Sequence, residues 1–400
     1  MLYSLYEAQH LALVPMRYMA ELYRGWFAHP FSPLSYSPFA KRLAASSDLF
    51  LRLTQRYDKP AWNIDADIEV ALERPFCNLL HFNDGRAKSR KVLIVAPLSG
   101  HHATLLRDTV RAFLQEHDVW IADWVDARMV PLAEGPFHLR DYVHYVIDWI
   151  RLLSDPAKPD LHVVSVCQPT VPVLAAVSLM ASRAEKHRPL TMTMMGGPID
   201  ARRSPTAVNN LATRKPYSWF ERNLIHRVPE KYPGFMRRVY PGFLQHLGFV
   251  AMNPDRHLTA HWGYFHHLLQ GDGESAESHR RFYDEYNAVL DMPAEYYLDT
   301  VKTVFQEFAL PKGRMFVGEE LVRPQSIRDT ALLTVEGELD DISGNGQTEA
   351  AHLLCLNIPR ERREHYVAPG VGHYGIFSGR RWREMVFPRV RDFMARHQSS

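Results

Sequence analysis

The feature that most constrains this chain is a rhythm of short apolar runs and helical patterns. It starts near Asn78, breaks after Met195 and resumes at Ala331. Its first half reads as strands over Asn78–Phe82, Val92–Ala96, Asp118–Ala122, Asp160–Val166 and Leu190–Met195. Helical patterns over Thr104–Glu116, Leu139–Leu153 and Pro169–Ala184 separate the later ones. Asp160–Val166 is almost continuously apolar, as a strand becomes when both faces of a parallel sheet are covered. Strand Ala331–Val335, helix Gln347–Leu356, strand Glu364–Val367 and an amphipathic helix from Trp382 to about Arg396 continue the pattern. Alternation of this kind predicts an α/β fold: a doubly wound, mostly parallel sheet with right-handed crossovers.

Between the halves, from about Asp200 to about Arg328, the sequence is helical, irregular and rich in aromatic residues. It holds a small echo, Tyr232-Pro-Gly-Phe235 and Tyr240-Pro-Gly-Phe243, and two copies do not make a repeat array. An insertion within one sheet is the simplest account, placed over the carboxyl ends of the strands, where such sheets bind ligands. The first residues form aromatic helical patterns through Leu2–Phe27 and Leu43–Leu53, with a proline- and serine-rich loop from Pro30 to Pro38 between them. The predicted organisation is a helical extension over 1–75, a core made of 76–200 and 329–400, and a helical cap over 201–328.

Composition narrows the function. A formal charge of +2 gives no field that would draw nucleic acid, so none is expected as a partner. Three scattered cysteines, Cys77, Cys167 and Cys355, fit a reducing compartment better than a disulfide framework. The first ten residues do not read as a signal peptide, and no apolar run is long enough to span a bilayer. A cytoplasmic location is the expectation.

The chemistry is carried by Val163-Val-Ser165-Val-Cys167-Gln-Pro169. An apolar strand runs straight into Cys167 and a helix begins at once, the setting of a nucleophile elbow, where a tight turn lifts one side chain above the sheet. Ser165 and Pro169 stand where the usual motif has glycine. Serine is small, and proline suits the first turn of a helix. A thiol so placed faces the positive end of the helix dipole, which favours the thiolate. The plainer reading is a buried cysteine ending a strand. Cys77 and Cys355 lack such a setting, and Cys355 reads as core.

Such a nucleophile needs a base oriented by a carboxylate, met later in the chain as acid, then base. The strand ending at Val335 runs into Glu336-Gly-Glu338-Leu-Asp340-Asp341. Asp340 is the preferred acid, Asp341 its competitor, and Glu336 and Glu338 come behind. His373, in the glycine-rich loop Pro369-Gly-Val-Gly-His373-Tyr-Gly375, is the candidate base. Oxyanion donors are expected at the N–H of Gln168 and in Pro97-Leu98-Ser99-Gly100, with Leu98 favoured and Ser99 next. His101 and His102 read as shaping this loop or meeting the cap. His257 and His261 share a helix face, but the glutamate of a zinc-protease motif is missing, so no metal is expected.

Ser-Val-Cys167-Gln-Pro, Val-Ala-Pro-Leu-Ser-Gly-His-His, Glu336-Gly-Glu-Leu-Asp-Asp-Ile-Ser and Pro-Gly-Val-Gly-His373-Tyr-Gly-Ile-Phe together resemble the intracellular polyhydroxyalkanoate (polyhydroxybutyrate) depolymerases of bacteria. The resemblance spans nearly the whole chain. It implies an α/β-hydrolase core that hydrolyses storage polyester to 3-hydroxybutyrate oligomers or monomer, without a cofactor. By the same resemblance Cys167 is the nucleophile, Asp340 the acid and His373 the base, and the partner is a polyester granule or a hydroxyacid oligomer. The aromatic residues around Tyr18–Phe27 are expected to help attach the protein to granules. A polyester synthase also carries cysteine at its elbow, but Ser165 and Pro169 depart from a full Gly-x-Cys-x-Gly box. A noncatalytic granule-coating protein is the alternative outside enzymology.

Overall fold

The structure, a computed structural model, describes residues 2–29, 31, 33–252 and 254–398. Among these, eight strands form one sheet: β1 (Asp67–Leu72), β2 (Cys77–Asn83), β3 (Lys91–Val95), β4 (Asp118–Trp124), β5 (Leu161–Val166), β6 (Thr191–Met195), β7 (Ala331–Gly337) and β8 (Arg363–Ala368). Their spatial order is β1-β2-β4-β3-β5-β6-β7-β8. Strands β4, β3, β5, β6, β7 and β8 run parallel to one another, while β2 pairs antiparallel with both β4 and the edge strand β1. This is the α/β-hydrolase arrangement. β5, β6 and β7 are buried at every position, which is why their sequences are apolar without alternation.

Helix Leu139–Leu153 buries Leu139, Val143, Val146, Ile147 and Ile150 at helical spacing, leaving its charged face outside. Helix Thr170–Ser182 is different. Its first eleven residues are all buried, so it shows no polar face at its start. Two predicted helices are shorter than their sequence patterns: Thr104–Glu116 becomes a 3-10 turn followed by Arg107–Phe113, and Gln347–Leu356 narrows to Ala351–Leu354. Strand β1 lies inside the stretch expected to be helical extension. Its residues Asp67, Ile68, Glu69, Val70 and Ala71 are exposed at the sheet edge, so burial imposes no apolar signature on them.

The extension itself comprises helices Leu2–Ala12, Val14–Ala28 and Pro38–Thr54. Of the loop expected between the last two, Pro30 and Ser32 lie outside the described residues, and Pro33–Tyr36 forms a 3-10 turn. The first helix is pinned to the insertion. The Tyr3 hydroxyl donates to Asp291 at 2.8 Å in a buried contact, Tyr6 stacks on Phe243 at 4.2 Å, and Glu7 pairs with Arg56 and Lys231. The insertion carries helices from Ala207 to Thr300 and a small sheet of His226–Arg227, Arg238–Tyr240 and Met292–Pro293. No helix among the described residues is long and apolar enough to cross a membrane.

Candidate active site

β5 delivers Cys167 into a strained turn. The residue has φ of +68°, in the left-handed region that a side chain bearing Cβ rarely adopts, and its N–H still reaches across to Met195 O at 2.7 Å. Pro169 sits at φ −64° and ψ −6°, already helical, and its carbonyl accepts from Val173 N at 2.9 Å. Proline here starts the helix, as the sequence suggested. Ser165 is fully buried and donates to Thr193 O at 3.2 Å, so its hydroxyl is satisfied inside the sheet.

The room that glycine gives the usual elbow is supplied here from the next strand. A Cβ on Gly197 would stand 2.4 Å from Cys167 O, and one on Gly196, where φ is +57°, would meet Ile376 Cδ1 at 2.5 Å. Thr348 fixes this crossing by accepting from Gly197 N at 2.8 Å and donating to Gly197 O at 3.0 Å. In the sequence Gly196-Gly197 stand where the strand–helix rhythm breaks. A glycine pair directly after a central strand was the available signal.

Beyond β7, Asp340 folds back on its own loop. Its Oδ1 accepts from Ile342 N at 2.9 Å and Ser343 N at 2.8 Å, and its Oδ2 accepts from His373 Nδ1 at 2.7 Å. Its side chain is wholly buried, whereas Asp341 is exposed. Glu336 serves the loop differently: its buried carboxylate accepts from Gly346 N, Thr348 N and Glu349 N at 2.7, 2.7 and 2.9 Å. Glu338 accepts from Gly370 N at 2.6 Å.

His373 opens the 3-10 turn His373–Ile376 and is buried between the rings of Tyr374 and Phe377, each 5.8 Å away. Burial opposes charging its imidazole, but the charge of Asp340, which accepts its hydrogen bond, and the Cys167 sulfur prevail. They hold its pKa well above the ordinary value. The three residues are thereby brought together from β5, β7 and β8, and the buried imidazole favours its charged form when the sulfur is a thiolate. Burial pushes the Cys355 thiol up to about 12 and raises that of Cys77 as well.

Leu98, Ser99 and Gln168 all line the same cavity as Cys167 and His373. Their loop is anchored at Ala96, whose carbonyl accepts from Tyr142 Oη at 2.8 Å and Trp124 Nε1 at 2.9 Å. Among the described residues, no hydrogen-bond acceptor engages the backbone N–H of Leu98, Ser99 or Gln168. His101 joins the loop to the insertion, with Nε2 3.1 Å from Tyr286 O and its ring stacked on Phe249. The cavity has a volume of about 560 Å³, and the insertion closes it with Leu211, Phe220, Leu224, Tyr240, Phe249 and Tyr297. The other cap aromatics do different work: Tyr264 bonds Asp48, while Tyr217, Phe235 and Trp262 are exposed. His257 lies between the hydroxyls of Tyr283 and Tyr286, and no cluster of three metal-ligating residues occurs among the described residues.

The family model described as "PHB de-polymerase C-terminus" matches residues 196–398. The chain belongs to the PHB depolymerase family. It is an ester hydrolase. The matched segment holds Asp340 and His373, and Cys167 lies before it. No curated protein sequence matches the chain. Similar solved structures include a hydrolase from Pseudomonas aeruginosa at 12% identity, covering 83% of this chain and 99% of that one, with a TM-score of 0.43. A thermophilic esterase from Thermogutta terrifontis has 12% identity, coverage of 84% and 100%, and a TM-score of 0.42. A soluble variant of monoglyceride lipase from Saccharomyces cerevisiae has 10% identity, coverage of 86% and 100%, and a TM-score of 0.48.

Proposed function

We propose that this depolymerase hydrolyses polyhydroxybutyrate or a related polyhydroxyalkanoate storage polyester, using Cys167 as nucleophile, His373 as base and Asp340 as the carboxylate that orients it. The observation that carries this reading is the bond from His373 Nδ1 to Asp340, with His373 and Cys167 lining one largely apolar cavity.

The Cys167 thiolate attacks an ester carbonyl of the chain, and the oxyanion is stabilised by the N–H groups of Gln168 and of Leu98 or Ser99. The imidazolium of His373 gives its proton to the departing alkoxide, the hydroxyl end of the neighbouring unit. A 3-hydroxyacyl thioester remains on the sulfur. Water then gives a proton to His373 as its oxygen attacks the thioester. The thiolate departs, and the 3-hydroxy acid is released. Asp340 holds the Nδ1 proton throughout, which keeps Nε2 toward the sulfur. The insertion over 201–328 acts as the cap of this site, and 1–75 includes the segment that meets the polymer surface.

For granule contact, the outer helix Val14–Ala28 offers Met16, Tyr18, Met19, Leu22, Tyr23 and Trp26, all exposed and Trp26 to 72%. An apolar patch of this kind suits a hydrophobic particle surface. The reading is tested by giving wild type and Cys167→Ala amorphous polyhydroxybutyrate granules in one assay and 3-hydroxybutyryl-CoA in another. Soluble 3-hydroxybutyrate from wild type alone supports it. Free coenzyme A with growing polymer would make the protein a synthase, and silence in both would leave a granule-binding protein.

A further inference from the structure

The cavity wall is mainly aliphatic and aromatic, and the polar side chains that line it with Cys167 include Gln168, Tyr296 and Thr300. Gln168 directly follows Cys167. Tyr296 and Thr300 are four residues apart on helix Ala294–Thr300 of the insertion, and so share one face. Each is more than nine-tenths buried, with Tyr296 exposed by 1% and Gln168 and Thr300 by 7%. Even so, both Oε1 and Nε2 of Gln168, the hydroxyl of Tyr296 and Oγ1 of Thr300 complete no hydrogen bond among the described residues.

The surroundings of Tyr296 also act on its phenol. Burial raises its pKa well above the ordinary value, Thr300 and Gln168 pull it down, and a charge on Cys167 pushes it up. Tyr296 is held in place by Tyr142 and Phe137, whose ring centroids lie 5.9 and 6.1 Å from its own. Buried polar atoms are paired almost everywhere in proteins, so an unpaired group of them at a cavity wall calls for a partner that enters with the ligand.

We propose that Gln168, Tyr296 and Thr300 form a polar subsite that recognises the oxygen on the third carbon of the acyl group being transferred to Cys167. This rests on the reading of Cys167 as the nucleophile. In a 3-hydroxyacyl ester that oxygen lies two carbons from the reacting carbonyl, within reach of groups that surround the sulfur. A free 3-hydroxyl both donates and accepts, matching Gln168 Oε1 on one side and the Tyr296 hydroxyl or Gln168 Nε2 on the other. Where the chain continues, the same position carries an ester oxygen, which accepts from Tyr296. A plain fatty acyl chain offers nothing there and leaves the three side chains unpaired. The subsite therefore selects hydroxyacyl over simple acyl esters inside a cavity whose apolar walls would admit both.

The test compares kcat/KM for p-nitrophenyl 3-hydroxybutyrate and p-nitrophenyl butyrate in wild type, Tyr296→Phe, Thr300→Val and Gln168→Met. Each variant keeps its size, and Gln168→Met keeps the backbone N–H. Wild type is expected to prefer the hydroxy ester by about ten-fold or more, and Tyr296→Phe to lower that ratio by about ten-fold. A wild type that depends on Cys167 but treats the two esters alike would overturn the subsite and leave the nucleophile standing. So would variants that lower both values in equal proportion. Full activity of Cys167→Ala on both esters would remove the nucleophile reading and the subsite with it.

Discussion

A Cβ placed on Gly197 would lie 2.4 Å from the carbonyl oxygen of Cys167, so the turn that follows β6 can carry no side chain at that point. Gly197→Ala must therefore push β6 away from the turn that sets the sulfur. The expected result is a loss of about 3 kcal/mol in unfolding free energy, read by chemical denaturation, with a large fall in ester hydrolysis.

The two neighbouring aspartates give a sharper test of the acid. Asp340→Asn removes the charge that faces His373 and is expected to lower kcat by about three to four orders of magnitude. Asp341→Asn, at an exposed position, is expected to stay within about two-fold of wild type. Rates on a soluble ester decide between them, and equal losses would contradict the assignment.

Much of this was legible in the sequence, for physical reasons. Strands β5, β6 and β7 are covered on both faces, so their apolar runs announced them, and the chain order of Cys167, Asp340 and His373 followed from the same alternation. Strand β1 was hidden because an exposed edge places little demand on residue type. The choice between Asp340 and Asp341 depends on loop geometry, which adjacent identical residues cannot reveal. Tyr296 and Thr300 were invisible as a site, because a cap helix shows its periodicity and not what it faces. The extension was expected to help attach the protein to granules, and nothing in the sequence announced that Tyr3 binds Asp291 of the insertion while Tyr18, Tyr23 and Trp26 of helix Val14–Ala28 stay exposed.

That arrangement changes how granule contact should be tested. Truncating the N-terminus would strip Asp291 of its Tyr3 partner, whereas substitutions on the outer face leave that bond intact. Tyr18→Ser, Met19→Ser and Trp26→Ser combined should weaken cosedimentation with polyhydroxybutyrate granules by about ten-fold while hydrolysis of a soluble ester is retained. Undiminished cosedimentation would place the contact elsewhere.

Glu336 is predicted to be structural. Its carboxylate takes three backbone N–H bonds from Gly346, Thr348 and Glu349, and Thr348 in turn holds Gly197. Glu336→Ala leaves those donors buried without an acceptor and should cost about 3 kcal/mol in denaturation experiments.

Stability should fall on both sides of neutrality. Burial presses His101 down to about 4 and His102 and His162 to about 3, from an ordinary 6.5. Their folded forms resist protons that the unfolded chain accepts, so their contribution is complete above pH 6.5 and is lost as pH falls from 6.5 toward 4. Each such group steepens the acid limb by up to about 1.4 kcal/mol per pH unit. His373 acts in the opposite sense: its raised value contributes fully below pH 6.5 and is lost as pH rises through the folded pKa. Denaturation midpoints measured across this range should describe a dome, and a flat profile would contradict it.

Covalent catalysis by Cys167 can be read by acid-quenching the enzyme during turnover of a 3-hydroxybutyrate oligomer and mapping its peptides by mass spectrometry. The expected result is a 3-hydroxyacyl group on the peptide that carries Cys167, released by hydroxylamine and absent from Cys167→Ala, which should show no turnover. Turnover that survives in Cys167→Ala, or an acyl group found on another residue, would contradict it.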